Sequence, residues 1–121
     1  MARHNDLGRK GEVAAMSYLL GKGYIIHHKN WIHERYEIDI IASDEEYIIF
    51  VEVKTRTSSQ WGNPEEAVSE RKIKRIIEAA DFYLKEYNIG KPARFDVIAA
   101  IANGPQFEIE HFEDAFLPPV N

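Results

Sequence analysis

Apolar residues along the chain recur with two periods, which predict two helices and five strands. The segment from Asn5 or Asp6 to Lys22 repeats apolar residues at helical spacing and is followed by Gly23, a common stop signal. The segment from Ser69 to Tyr87 predicts a second helix in the same way. The positions expected to face the core are Val13, Met16, Leu19 and Leu20 in the first helix, and Ile73, Ile76, Ile77, Ala80 and Leu84 in the second.

Runs rich in β-branched and aromatic residues predict the strands. They extend from Tyr24 to His28, Tyr36 to Ala42, Tyr47 to Arg56, Ala93 to Ala102 and Phe107 to Phe112. The turn 43–46 joins the second and third strands in a hairpin, and Thr57 to Pro64 is expected to be a loop. The order αβββαββ predicts an α/β fold with a central mixed β-sheet flanked by helices. We expect one domain over residues 1–121, with a core at about 5–112 and a short acidic tail that contains proline.

Composition and charge limit the kinds of partner. The chain has 121 residues, no cysteine and a formal net charge of −5, so thiolate metal sites and disulfides are excluded. It has no membrane-spanning apolar stretch and no secretion signal, which predicts a cytoplasmic protein without a membrane partner. Four of the acids and none of the bases lie in 106–121, so the remainder is nearly neutral. Basic clusters there indicate nucleic-acid contacts through Arg9, Lys10, Arg56 and Lys72, although the cluster at 71–75 also fits a solvated helix face.

Charged residues interrupt two of the apolar strands. Glu52 and Lys54 share one face of the third strand, and Asp39 lies at a similar distance from the hairpin turn on the second strand. Asp39 and Glu37 are expected on one face, with Ile38 and Ile40 on the other. The two carboxylates Asp39 and Glu52 are therefore expected to be neighbours across the hairpin.

Two interpretations fit this arrangement. Asp39 and Glu52 can bind a divalent cation, Mg²⁺ or Mn²⁺, that polarises a phosphodiester, while Lys54 orients the attacking water or offsets charge on the phosphate. Alternatively, Glu52 forms a structural salt bridge with Lys54 or Arg56. Asp96, two residues after Arg94, is most simply part of an ion pair.

A wider set of residues resembles a known family. It comprises Asn5, Gly8, Gly11-Glu12, Ala14-Ala15, Gly23-Tyr24, Asn30, Glu37-Ile38-Asp39-Ile40-Ile41, Phe50-Val51-Glu52-Val53-Lys54-Thr55-Arg56, Gly62, Pro64, Ala67-Val68, Lys72, Ala79-Ala80 and Arg94-Phe95-Asp96-Val97. In this order the residues resemble the YraN-like family of small bacterial proteins, within the PD-(D/E)XK nuclease superfamily. One difference is Tyr36, where that family usually has Gly before Glu-Ile-Asp; a bulky ring there is expected to narrow the approach to the site.

The resemblance implies a restriction-endonuclease-like core similar to that of archaeal Holliday junction resolvases, with a divalent metal. Asp39 and Glu52 match the metal ligands and Lys54 matches the catalytic lysine. Glu12 matches an acid that the superfamily contributes from its first helix, although it also fits a first-turn acid favoured by the helix dipole. The leading hypothesis is a metal-dependent endonuclease acting on DNA in repair or recombination. The alternative is a nucleic-acid-binding or scaffold protein that keeps the fold without turnover. A homodimer is compatible with either hypothesis.

Overall fold

The elements follow the predicted order. The computed structural model describes residues 6–57 and 68–116. These form α1 (Asp6–Gly21), β1 (Ile25–His33), β2 (Tyr36–Ser43), β3 (Ile48–Arg56), α2 (Glu70–Glu86), β4 (Ala93–Asn103) and β5 (Gln106–Phe112). The five strands form one mixed sheet, which confirms the predicted fold class. The loop was predicted from Thr57 to Pro64, and its residues 58–64 lie outside the described ranges. No helix in the two described ranges is both long and apolar enough to cross a membrane.

The sheet lies between the two helices. Its strands are ordered β1-β2-β3-β4-β5, and β3 and β4 are parallel whereas the other neighbours are antiparallel. Alternate side chains of β3 enter two cores. Phe50 packs with Tyr83 on the α2 side, and Val51 packs with Leu19 on the α1 side. A residue on β3 is therefore directed to one helix or the other by its position in the alternation.

The buried side of α1 differs from the predicted one. Val13 and Leu20 are 54% and 58% exposed, so their assignment to the core was wrong. Leu19 is buried and Met16 packs against the same core, as predicted, and the helix also buries Gly11 and Ala15. A Cβ at position 11 would overlap the side chain of Thr55 on β3. Small residues bring this helix close to the sheet, and a pattern search for large apolar residues does not detect such a contact.

The first strand is longer than predicted. β1 continues past His28 to His33, which pairs with Tyr36 across a two-residue turn. Glu34 in that turn has a φ of 56°. The predicted end of this strand was too early, because the second half of the edge strand contains polar residues and therefore lacks the continuous apolar pattern used to predict strands.

The second helix has the predicted limits. Ser69 is its N-cap, and the Ser69 Oγ accepts a hydrogen bond from the backbone N–H of Lys72 at 3.2 Å. Ile76 and Ala80 are buried as predicted, whereas Tyr83, also buried, was not in the predicted stripe. The cap fixes the first turn of α2, and that turn carries Lys72 to one wall of the cavity described next.

Candidate active site

Asp39 lies where β2 separates from β3. The ladder between these strands ends at the pair Ile40 and Val51. One residue further, the Oδ2 of Asp39 accepts a hydrogen bond from the backbone N–H of Val53 at 2.8 Å. The carboxylate therefore binds a backbone donor of β3 at the point where the strand ladder stops. It also reaches the strand that carries Glu52, as the counting from the turn predicted.

The alternation of β2 is broken at Asp39. Ile38 packs in the core on the α2 side, and Ile40 packs in the core on the α1 side, so the prediction that they share a face was wrong. Their partners on β1 are Trp31 and Lys29, which flank Asn30 with its φ of 49°. The left-handed backbone at Asn30 lies opposite Asp39, and the ladder between the two strands has a separate irregularity between Ile26 and His28.

Glu52 is a buried carboxylate with one bonded oxygen. Its side chain is 2% exposed, and its Oε1 lies 2.9 Å from the Nζ of Lys72 on α2. Its Oε2 is the one buried side-chain polar atom without a hydrogen-bond partner in 6–57 and 68–116. The predicted alternative was a pair with Lys54 or Arg56 on the same strand; the ion pair in the structure comes from the helix instead.

Asp39, Glu52 and Lys72 line one cavity of about 410 Å³. Its acids lie towards the sheet, and exposed basic residues surround them. The full lining is Arg35, Tyr36, Glu37, Asp39, Glu52, Ser69, Arg71, Lys72, Arg75 and Ile76. Four cations against three acids make this site positive although the whole chain is acidic. A phosphate group that approaches the acids would therefore first contact the basic side chains of the cavity.

Sequence reasoning missed three arginines of this cavity. Arg71 and Arg75 are one helical turn apart on α2, and Arg35 lies in the turn between β1 and β2. The i, i+4 spacing in the basic cluster was a signal for the helical pair. Arg35 had no such signal, because only the fold brings the tip of the hairpin to the start of α2.

The ionisable groups of the site perturb one another. Burial, followed by the charge of Glu52, raises the pKa of Asp39 to about 8. Burial also raises the pKa of Glu52, against the opposing effect of Lys72. For Lys72 burial acts to lower the pKa, but the Glu52 carboxylate holds it above its ordinary value. Burial lowers the pKa of Lys54, and the neighbouring charge of Lys72 lowers it further. Lys54 therefore belongs to the same electrostatic cluster as the two acids.

The donor set fits a hard divalent cation. Glu52 offers an unbonded carboxylate oxygen, and Asp39 provides a second carboxylate in the same cavity. No group of three or more His, Cys, Asp or Glu suited to a metal occurs in the part of the chain that the structure describes. Mg²⁺ commonly binds through one or two carboxylates and completes its shell with water and phosphate oxygens. Two acids beside a basic surface match that habit.

Glu12 lies near this cluster but lines a different cavity. Its Oε1 accepts a hydrogen bond from the Nδ2 of Asn30 at 3.2 Å. Its charge also contributes to the raised pKa of Asp39. Glu12 lines a separate cavity of about 150 Å³, together with Arg9 and Lys29. The structure thus brings Glu12 close to Asp39 without placing it in the lining of the larger cavity.

The remaining predicted cations lie outside that lining. Arg9 and Lys10 are exposed on α1 and border an apolar groove with Phe107. Arg56 at the end of β3 donates from Nη1 to the carbonyl oxygen of Thr55 at 3.0 Å. Of the four residues predicted to contact nucleic acid, Lys72 alone lines the cavity that holds the carboxylates.

Tyr36 forms part of the cavity wall. Its hydroxyl donates a hydrogen bond to the Oε1 of Glu78 on α2 at 2.9 Å. This bond links the start of β2 to α2 beside the cavity. A Gly at this position would leave this link unmade, and the narrowing of the approach stays a prediction.

A second buried polar cluster lies on the other face of the sheet. Arg94 donates from Nε and Nη2 to the two carboxylate oxygens of Asp96, at 3.0 and 2.8 Å. The Nε2 of His111 lies 2.7 Å from the Asp96 Oδ2. Asp96 pairs with Val51, whose side chain belongs to the α1-side core. The interpretation of Asp96 as an ion-pair residue is therefore confirmed.

The fold and cavity describe an α/β protein with an acidic pair beside basic side chains, and known proteins share its sequence. The model of the uncharacterised protein family UPF0102 matches residues 11–100. A UPF0102 protein of Phocaeicola vulgatus is 46% identical over 120 residues, which cover 99% of both chains. UPF0102 proteins of Bacteroides thetaiotaomicron and Parabacteroides distasonis are 48% and 49% identical, covering 99% and 98% of each chain. This chain belongs to the UPF0102 family.

Proposed function

We propose that this protein is a metal-dependent endonuclease of the PD-(D/E)XK superfamily that hydrolyses phosphodiesters in DNA, with branched or structured DNA as the substrate class. The observation that carries the proposal is the buried carboxylate of Glu52, with an oxygen that no protein group binds, in a cavity shared with Asp39. An unsatisfied buried carboxylate oxygen costs free energy, so its persistence supports a ligand-binding role.

Asp39 and Glu52 would hold the Mg²⁺ or Mn²⁺. A bound ion of this kind supplies Lewis acidity and lowers the pKa of a coordinated water. Asp39 keeps its orientation through the N–H of Val53, which leaves its second oxygen for the ion. Glu52 is oriented by its place in the middle of the sheet.

The cations would bind and stabilise the scissile phosphate. Arg71 and Arg75 present their guanidinium groups from α2, and Arg35 does so from the hairpin tip. Guanidinium groups form paired hydrogen bonds with phosphate oxygens. Lys54, on β3 two residues after Glu52, would orient the attacking water or, in its protonated form, offset the charge that develops on the phosphate. Lys54→Met should therefore reduce the cleavage rate by roughly 10²–10³.

The test is cleavage of a panel of four-way, flap and single-stranded DNA with Mn²⁺ or Mg²⁺. Wild type should cut at least one form, and Glu52→Gln should not. Glu46→Gln, in the exposed turn after β2, is the matched control and should cut like wild type. Cleavage by Glu52→Gln at the wild-type rate would contradict the proposal, because the activity would then belong to a contaminant.

A non-catalytic nucleic-acid-binding or scaffold protein is the second candidate. The observation in its favour is the ion pair between Lys72 and Glu52, which neutralises the carboxylate without a metal. Tyr36, bonded to Glu78 beside the cavity, favours it as well. Such a protein would bind DNA with an affinity that falls steeply as salt rises, since phosphate contacts release counterions. It would leave every member of the panel uncut.

A further inference from the structure

Lys72 contacts the acid that would bind the metal. Its Nζ lies 2.9 Å from the Oε1 of Glu52, with the lysine side chain 43% exposed and the glutamate side chain 2% exposed. The contact therefore joins a buried carboxylate to a lysine side chain that is partly exposed to solvent. Breaking such a pair costs more than breaking a surface ion pair, because the desolvated Glu52 carboxylate would be left without its partner.

The pair satisfies Glu52 only in part. Its Oε2 has no partner in the described part of the chain, and Asp39 lies in the same cavity as a second acid. One ammonium group thus serves two acidic side chains. A divalent cation would neutralise both acids, and the oxygen that Lys72 binds would be among its ligands or directly beside them.

If Lys72 leaves Glu52, its ammonium group would lie beside the other basic residues of the cavity. Arg71 and Arg75 on the same helix line the cavity, so a released ammonium would join a cationic wall where a phosphate is expected. The lysine side chain has a flexible four-carbon stem and three donors, which lets it change partners without movement of the helix. Release would also separate it from Lys54, whose charge lies close to it.

We propose that Lys72 is the internal counter-ion of the site: its ammonium binds Glu52 in the metal-free protein, gives up that carboxylate when a divalent cation enters, and then binds the substrate phosphate. This inference rests on the proposed metal-dependent function. It makes Lys72 a positioning residue that competes with the metal in the resting protein and assists the substrate afterwards.

The first experiment measures Mn²⁺ affinity by calorimetry without nucleic acid. Lys72→Met should bind Mn²⁺ about tenfold more tightly than wild type, because no ion pair has to be broken, and tenfold corresponds to about 1.4 kcal/mol. Lys74→Met is the matched control: Lys74 is exposed on the same helix and does not line the cavity. It removes the same charge and should change the affinity much less. A gain for Lys72→Met of under threefold relative to Lys74→Met overturns the inference.

The second experiment uses wild type, so it does not depend on the variant folding. Lysines labelled at ¹³Cε are followed by NMR during a Mg²⁺ titration, with Lys72→Arg used to assign the resonance. The Lys72 signal should move to the position of a solvated lysine as the metal saturates. Lys85, paired with Asp81 at 3.0 Å on the exposed side of α2, reports general salt effects. A Lys72 signal that stays still, or that moves only as Lys85 does, overturns the inference.

The outcomes separate the two proposals. If wild type binds Mn²⁺ and cleaves DNA while Lys72→Met binds no more tightly than Lys74→Met, the counter-ion role is wrong and the nuclease stands. If wild type binds neither Mn²⁺ nor Mg²⁺, the metal-dependent function is wrong, and the role of Lys72 is wrong with it.

Discussion

Replacing Asp39 by Asn tests the electrostatics of the site in the metal-free protein. The substitution removes an ionisable group and keeps an oxygen that can accept the N–H of Val53. In the folded protein the pKa of Asp39 is raised from 3.8 to about 8, by burial and by the charge of Glu52. The folded state therefore retains a proton at a pH where the unfolded chain has lost it.

The sign and size of the effect follow from linkage. A carboxyl group whose pKa is raised on folding contributes stability that is complete below its unfolded pKa and is lost as the pH rises through its folded pKa. For Asp39 this window runs from about 4 to about 8. The free energy of unfolding should fall by roughly 1 kcal/mol for each pH unit across most of it. The loss is shared with Glu52, because two coupled acids titrate as a pair.

Urea unfolding in EDTA, from about pH 5 to about pH 8, measures this loss by linear extrapolation. The wild-type free energy of unfolding should decline by a few kcal/mol more than that of Asp39→Asn over this range. Histidines and other acids titrate in both proteins, so the difference between the two curves isolates the site. Parallel curves would refute the reasoning, since Asp39 would then be ionised in the folded state throughout.

Two other substitutions test the packing on the α1 side of the sheet. Gly11→Ala should destabilise the fold by about 1–3 kcal/mol in urea unfolding, because the new Cβ would overlap Thr55. Gly21→Ala is the control and should be nearly neutral, because a Cβ at that position has open space. Equal effects of the two substitutions would contradict the close approach of α1 to the sheet. Asp96→Asn should lower the free energy of unfolding by about 3–5 kcal/mol in the same assay, because the buried guanidinium of Arg94 loses its charged partner. The substitution should leave Mn²⁺ affinity unchanged. A destabilisation of under about 1 kcal/mol would contradict the importance of this ion pair.

The order of elements and the meeting of the two acids could be predicted because both depend on local patterns. A two-residue period marks strands, and the position of the hairpin turn fixes the register of β2 against β3. Counting from that turn was enough to bring Asp39 near Glu52. The break in alternation at Asp39 was not predictable in this way, because counting from the turn assumes an unbroken period of two.

Contacts between distant elements were the part that sequence reasoning could not supply. Lys72 follows β3 by a long stretch of chain, and its pairing with Glu52 depends on where α2 docks. Arg35 reaches the same cavity from the opposite side. On α1, Gly11 has no apolar side chain, so a hydrophobic pattern favours Val13, although close approach requires the glycine. In each case the deciding quantity is a distance across the fold.

The sheet contains two buried carboxylates, and their difference is the strongest argument about function. Asp96 is satisfied at both oxygens, by Arg94, His111 and the backbone N–H of Asp114. Burial acts to raise its pKa, yet these bonds hold the pKa below its ordinary value. Glu52, equally buried, has an unbonded oxygen, and its pKa is raised. The same fold thus satisfies both oxygens of the buried carboxylate on one face of the sheet. On the other face, beside the cavity, it leaves one oxygen of the buried carboxylate without a partner. Stability alone gives no reason for that difference, whereas the metal and phosphate site that we propose does.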